Sequence, residues 1–193
     1  MSEKLKTKDR ILHSSLHLFA KSGFHGTTFQ QIADDVGISQ PGIFIHFKNK
    51  LDLFAALREQ VAQENRDFVD SQITIQDSAF ESLHKHCKFN LEWVVKNRDR
   101  AQLIILLYHY SCFDEDMRKL NLKALIAGQE RLLKYILAGI REQSIVSLNP
   151  QQLAEQIHSY IIGQSIKYLA LEKPPSSKAI ETSVKELLAR IAT

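Results

Sequence analysis

The stretch Thr28-Phe29-Gln30-Gln31-Ile32-Ala33-Asp34-Asp35-Val36-Gly37-Ile38-Ser39-Gln40-Pro41-Gly42-Ile43-Phe44-Ile45-His46-Phe47 carries the start and stop signals of two short helices joined by a tight turn. Thr28 followed three residues later by Gln31 fits a capping box, in which hydroxyl and carboxamide satisfy backbone N–H groups that a helix start leaves unpaired. Gly37 ends the first helix, because the residue after a helix commonly takes a left-handed conformation that glycine enters without strain. Ser39 starts the second helix as its N-cap, and Pro41 falls in the first turn, where a missing N–H costs nothing. The second helix is expected to reach about Phe47. Ile32, Ala33, Val36, Ile38, Ile43 and Phe47 recur at spacings that bury one apolar seam, leaving Gln30, Gln31, Gln40, Gly42, Ile45 and His46 outside. This is the arrangement that delivers a recognition helix into a DNA major groove.

Together with flanking residues the stretch resembles the DNA-binding domain of the TetR-type bacterial transcriptional regulators. The resemblance covers about the first quarter of the chain. It is carried by Ile11-Leu12 and Leu18-Phe19 on a first helix, then Gly23-Phe24, Thr27-Thr28, Ile32-Ala33, Gly37-Ile38-Ser39, His46-Phe47 and Lys50 before Leu53. Three positions depart from the family pattern. Ser15 replaces a small apolar residue, Phe44 stands where a tyrosine is common, and Gly42 stands where a small hydroxylated residue often contacts DNA. The resemblance implies phosphate contacts at Thr28, His46 and Lys50, while Phe44 lacks the hydroxyl that in relatives bonds a phosphate. Gln40, Pro41 and Gly42 lie near the start of the recognition helix. There a carboxamide can reach a base edge and a missing side chain allows close backbone approach. A merely solvated Gln40 is the alternative.

Charge follows the same division. Residues 1–50 hold Lys4, Lys6, Lys8, Arg10, Lys21, Lys48 and Lys50 against Glu3, Asp9, Asp34 and Asp35, so the whole formal charge of +3 falls in this segment and the rest of the chain is balanced. Lysines at the edges of a small helical unit suit phosphate contacts, which set register while base-edge contacts carry sequence information. Lys4, Lys6, Lys8 and Arg10 read equally as a solvated N-terminal arm. The 193 residues, 44% of them hydrophobic, suffice for one large or two smaller cores. No apolar run approaches the ~20 residues that span a bilayer, and Met1-Ser2-Glu3-Lys4 opens a polar segment without a secretory h-region, so no membrane association and a cytoplasmic location are expected. Cys87 and Cys112 show no close metal or redox spacing, which fits buried thiols in a reducing compartment, with a disulfide between them left open.

Beyond Lys50 the chain lacks strand alternation and repeats, so an all-α fold is expected: a helix-turn-helix domain over 1–50 and a larger helical domain over 51–193. Asn49 reads as the N-cap of a helix from Lys50 toward Asp70. A helix from about Ser78 to Lys96 presents Phe80, His84, Cys87, Leu91 and Val94 or Val95. Arg98 to Phe113, apolar on every side around Leu103–Tyr108, reads as a helix surrounded by others. Asp114-Glu115-Asp116 starts a helix reaching about Gln143, a further helix spans Pro150 to Leu171, and Ser176 or Ser177 caps a last one to about Ile191. The two long C-terminal helices carry more apolar surface than one core needs. One face is therefore expected to meet a second subunit through Ala124, Gly128, Leu132, Tyr135, Gly139, Ile157, Tyr160, Ile161 and Gly163, as the resemblance also implies. The alternative is a wholly intramolecular core.

The resulting expectation is a sequence-specific DNA-binding regulator. It would be a homodimeric repressor on a palindromic double-stranded operator, released when a small hydrophobic or amphipathic effector enters the second domain and alters the spacing of the two reading helices. Candidate pocket residues are His84, Cys87, Phe89, Trp93, Tyr108, His109, Tyr110 and Phe113, with simple core packing the alternative for each. Glu81-x-x-His84 and Glu155-x-x-His158 have the spacing of di-iron helical bundles, a competing reading that needs further inward glutamates such as Glu92 or Glu130. An architectural DNA protein would spread its basic charge over the whole surface, unlike the balanced residues 51–193. No catalytic constellation or nucleotide-binding loop is present, so no enzymatic activity, cofactor or metal is expected.

Overall fold

The computed structural model describes residues 3–146 and 149–192, and side chains outside Glu3, Lys4 and Leu5. Lys4, one of the cations expected in the N-terminal arm, therefore has its side chain outside the described residues. The order is α1 (Glu3–Gly26), α2 (Phe29–Val36), α3 (Gln40–Phe44), α4 (Lys50–Asp70), α5 (Ala79–Lys96), α6 (Arg98–Ser111), α7 (Glu115–Arg141), α8 (Pro150–Ala170) and α9 (Ser177–Leu188). Among the described residues the only extended pairing is an isolated antiparallel bridge between Ile145 and Ala192.

The helix signals act where the sequence places them. Thr28 and Gln31 form the reciprocal capping box, and Gly37 leaves α2 with φ 72° and ψ 41°. Ser39 caps α3 and Asn49 caps α4 through their side chains. Ser78 and Glu81 form a second capping box at α5, and Asp114 and Ser176 cap α7 and α9.

Several bounds differ from the sequence reading. α1 contains a break at Gly23, whose φ of 71° and ψ of 175° are not helical. α3 stops at Phe44 rather than Phe47: the N–H groups of His46 and Phe47 both donate to Ile43 O, at 2.9 and 3.0 Å, tightening the exit so that Phe47 turns into the core. α7 ends at Arg141, since Gln143 takes a left-handed φ of 58°. α9 ends at Leu188 and is followed by a turn over 189–191, from which Ile191 O accepts the Val146 N–H at 2.9 Å.

α5 and α6 are both surrounded by other helices, α6 lying against α1, α4, α5, α7 and α8. α5 packs against α4, α6, α7, α8 and α9 and buries Leu83, Cys87, Leu91 and Trp93. α6 buries Ala101, Leu103 and Leu107, and its Ile104, Ile105 and Tyr108 line a cavity described below. One apolar cluster runs across the expected boundary at residue 50, joining Phe19, Ile32 and Ile43 of the head to Phe54 and Leu57 of α4, Trp93 of α5 and Leu107 of α6. A second cluster ties α5, α7, α8 and α9 together through Leu83, Ile136, Ile157 and Val184. Ser15 is fully buried in the first cluster, its hydroxyl donating to Ile11 O at 2.6 Å, so the departure from an apolar residue is satisfied within its own helix.

Candidate functional site

The head formed by α1, α2 and α3 presents Thr28, Gln40, Pro41 and Phe44 as exposed residues, with Gly42 and His46 half-buried. Thr28 Oγ1 accepts the Gln31 N–H at 3.2 Å, which holds it at the start of α2. Gly42 is not needed for folding space, since an added Cβ would meet Ser39 Oγ at 3.5 Å and Ile38 at 3.7 Å, ordinary contact distances. Phe44 is 51% exposed yet edge-on to Phe29, with ring centroids 5.1 Å apart, and Ile45 beside it is 67% exposed. Sequence reading left Ile45 outside the seam without giving it a role.

The basic residues divide by what they touch. Lys50 Nζ donates to Thr27 O at 2.8 Å and lies 4.7 Å from the centre of the Phe24 ring, with partial burial lowering its pKa. It therefore ties the start of α4 to the α1–α2 turn. Thr27 is itself fully buried and donates to the carbonyls of Leu18 and Gly23. Arg10 donates to Val36 O at the end of α2, where a cation complements the helix dipole, and Lys8 lies over the Phe47 ring. Lys6, Lys21 and Lys48 are exposed. Arg10 and Lys8 are thus parts of the head, not of a loose arm.

Behind the head, α4, α5, α6, α7 and α8 line a partly open cavity of about 540 Å³. That volume matches a drug-sized ligand. Of the eight residues expected there, only Trp93 and Tyr108 line it. Cys87 is fully buried in the core around α5, which pushes its thiol up to about 12, and both cysteines are free. His84 points to α9, its Nε2 3.3 Å from Glu181 Oε1, and Phe89 packs on Phe68. His109 near the end of α6 is exposed, and Phe113 just past it is 78% exposed, both outside the cavity lining. Tyr110 turns to the head, its hydroxyl accepting the Phe24 N–H at 3.1 Å.

The polar lining is what sequence reading missed: Arg58, Arg66, His86, Asn121, Arg131 and His158. Burial holds the His86 imidazole down at about 3, with Arg131 and His158 adding to the effect, and burial also lowers His158. Tyr108 is pushed up to about 12 by burial, partly offset by Arg58. The available signal was a polar residue interrupting an apolar stripe, Asn121 four residues after Met117 and Arg58 between Leu57 and Val61.

The residues expected at a subunit interface mostly face inward. Leu132 and Ile157 are buried in the second cluster together with Ile161, and Gly139 is buried against Ile145. Ala124, Gly128 and Ile161 line the cavity, Gly128 lying against His158. Tyr135 packs on His86, and the Tyr160 hydroxyl bonds Ser183. Gly163 alone of the nine is exposed. The inward stripe satisfies the core first. The exposed apolar face of α7 and α8 consists instead of Leu122, Ile126, Leu137 and Ile166.

The two Glu-x-x-His pairs do not converge. Glu81 is held by Ser78, Glu155 is exposed, and among the described residues no group of three or more His, Cys, Asp or Glu could hold a metal. Nor is any helix long and apolar enough to cross a membrane among those residues.

Similarity to known proteins follows the same division. The model of the bacterial regulatory proteins of the tetR family matches residues 11–57, reaching through the first turns of α4. The "Probable acrEF/envCD operon repressor" of Escherichia coli is 24% identical over 151 residues, 77% of this chain and 68% of that one. The "Uncharacterized HTH-type transcriptional regulator YerO" of Bacillus subtilis is 50% identical over 50 residues, 26% of this chain and 16% of that one. A TetR-family regulator from Rhodococcus superposes with a TM-score of 0.85 at 20% identity, covering 97% of this chain and all of its own. A transcriptional regulator from Saccharomonospora viridis, solved in complex with choline, superposes with a TM-score of 0.84 at 19% identity over 97% of this chain and 98% of its own. The helix-turn-helix head and the helical remainder define a DNA-binding transcriptional regulator. Residues 11–57 match the DNA-binding domain of the tetR family of bacterial regulatory proteins, and the fold of the whole chain is that of the solved regulators above.

Proposed function

We propose that the protein is a homodimeric repressor whose hold on a palindromic operator is released by a small amphipathic molecule bound in the cavity behind the head. The observation that carries this reading is the position of α4. It begins at Lys50, bonded into the head, and eight residues further on Arg58 lines the cavity. At ~1.5 Å per residue the two sites are about 12 Å apart on one rod. A ligand that prefers one placement of α4 therefore biases the head, and by linkage DNA and ligand weaken each other. Thr28, Gln40, Pro41, Gly42, Phe44, His46 and Lys50 are the proposed DNA-facing set. Phe44 contributes an apolar contact where a phosphate bond is missing, and Ile45 joins the set as a second exposed apolar group beside it.

Leu122, Ile126 and Leu137 on α7, with Ile166 and Gly163 on α8, supply the proposed self-association face. Their exposure of 38 to 55% for the large apolar residues is what a two-fold contact would cover. The domain boundary is proposed within α4, since Phe54 and Leu57 pack with the head and the family match runs to residue 57.

Sedimentation of the purified chain, combined with selection of bound fragments from genomic DNA at fixed salt, tests the reading. A dimer that enriches a palindrome over random duplex supports it. A stable monomer with equal affinity for all duplexes overturns it.

A further inference from the structure

Three polar atoms in the wall of the cavity are buried without a hydrogen-bond partner: Arg58 Nε on α4, His86 Nδ1 on α5 and Asn121 Oδ1 on α7. Buried polar groups are nearly always paired, and an unpaired charged donor is the most unfavourable case. Asn121 already donates to Ser111 Oγ at 3.1 Å, so its remaining need is a donor, which carries no information about ligand charge. Arg58 does carry it. Its guanidinium cannot lose its proton, its side chain is 15% exposed, and Glu59 engages only Nη1, at 3.3 Å.

The charge around the cavity points the same way. Arg58, Arg66, Lys123 and Arg131 line it against Glu59 as the one acidic residue in the lining. Glu59 is shared between Arg58 and Arg66, and Arg131 is paired with Asp70 from the end of α4. Counting both carboxylates, two positive charges remain over. Burial keeps His86 and His158 uncharged near neutral pH, so neither adds to them. Apart from the neutral polar groups of Asn65, Asn90, Asn121 and Ser165, the rest of the wall is hydrocarbon and aromatic, including Trp93, Ile104, Ile105 and Ile162.

We propose that the cavity selects a monoanionic amphipathic molecule, with a carboxylate or similar group accepting the Arg58 Nε–H and an apolar body against Trp93 and the α6 and α8 isoleucines. This rests on the cavity being the effector site. Arg58 is then the specificity-determining residue, and because it belongs to α4 the anion bonds directly to the helix that leads from the head.

The chain has a single tryptophan, and that residue lines the cavity, so its emission reports occupancy without a label. Full-length protein is titrated with decanoate, decan-1-ol and decyltrimethylammonium, three probes with the same apolar body and different charge. Decanoate is expected to half-saturate Trp93 emission at a concentration at least about tenfold below the other two, and added salt is expected to weaken decanoate but not decanol. Arg58→Gln removes the preference, and Arg58→Lys keeps the charge but loses part of it. If the Gln variant fails to fold, the salt series on the unaltered chain decides. Equal response to all three probes, a preference for the cation, or an unchanged preference in Arg58→Gln overturns the anion assignment. Silence from all three overturns the effector reading of the cavity as well, which separates the two failures.

Discussion

Gly23 joins two features that a single substitution separates. Its φ of 71° and ψ of 175° lie in a region open essentially to glycine, so Gly23→Ala is expected to cost roughly 1–3 kcal/mol in backbone strain. The new Cβ would also sit 2.8 Å from the Tyr110 hydroxyl, closer than such contacts allow. Tyr110 must then swing away and give up the 3.1 Å bond from the Phe24 N–H, worth about 1 kcal/mol. The sum, roughly 2–4 kcal/mol, is a large share of the 5–15 kcal/mol typical of a folded protein. Tyr110→Phe loses the same bond but removes the obstructing oxygen. In that background Gly23→Ala should cost only its strain, and the double variant should be more stable than the sum of the singles predicts by about 1 kcal/mol. Urea unfolding followed by far-UV circular dichroism measures all four corners of the cycle. Strict additivity, or a Gly23→Ala variant within about 0.5 kcal/mol of the parent, would refute the assignment of Tyr110 as the contact joining α6 to the head.

Lys50→Ala is expected to weaken binding to all duplexes, to lower the salt slope by about one, and to destabilise the head by loss of the Thr27 bond, whereas Gln40→Ala changes sequence preference with stability unaltered. Filter binding over a salt series checks both, and a Lys50→Ala slope equal to the parent's would leave Lys50 a purely structural role. Gly139→Ala would place a Cβ 2.6 Å from Ile145 Cγ1, with Cδ1 also in the way, and should cost about 1–3 kcal/mol by overpacking, with partial relief from Ile145→Val in thermal melts. Stability should fall as pH drops below about 6.5. His86 is held at about 3 in the folded chain but regains its ordinary value on unfolding, so the unfolded chain takes up the proton first. This stability is fully present above 6.5 and is lost toward 3 at up to about 1.4 kcal/mol per pH unit from this residue, with His158 acting in the same direction. Melting curves of His86→Leu at pH 7.5 and 5 should show a shallower decline, and an identical decline would show that His86 is not responsible.

Local chemistry made the head and most helix starts legible in the sequence. Thr28, Gly37, Ser39, Asn49, Ser78, Asp114 and Ser176 act through their own side chains or backbone on residues three or four positions away, so nothing distant can alter their meaning. Residues along one helix stripe were equally legible as apolar, and Met117, Leu132 and Ile157 are indeed buried. What an apolar stripe meets depends on how helices distant in sequence pack, and that only the tertiary structure decides. It turned the stripe of α7 inward, left Leu122 and Ile126 outside, moved Tyr110 to the head and Phe113 into solvent, and gathered Arg58, His86 and Asn121 from three helices around one cavity. Hydrophobic attraction is non-directional, so it announces that a side chain will be covered without saying by what; a cap bonds a named neighbour, and so could be read before any fold was known.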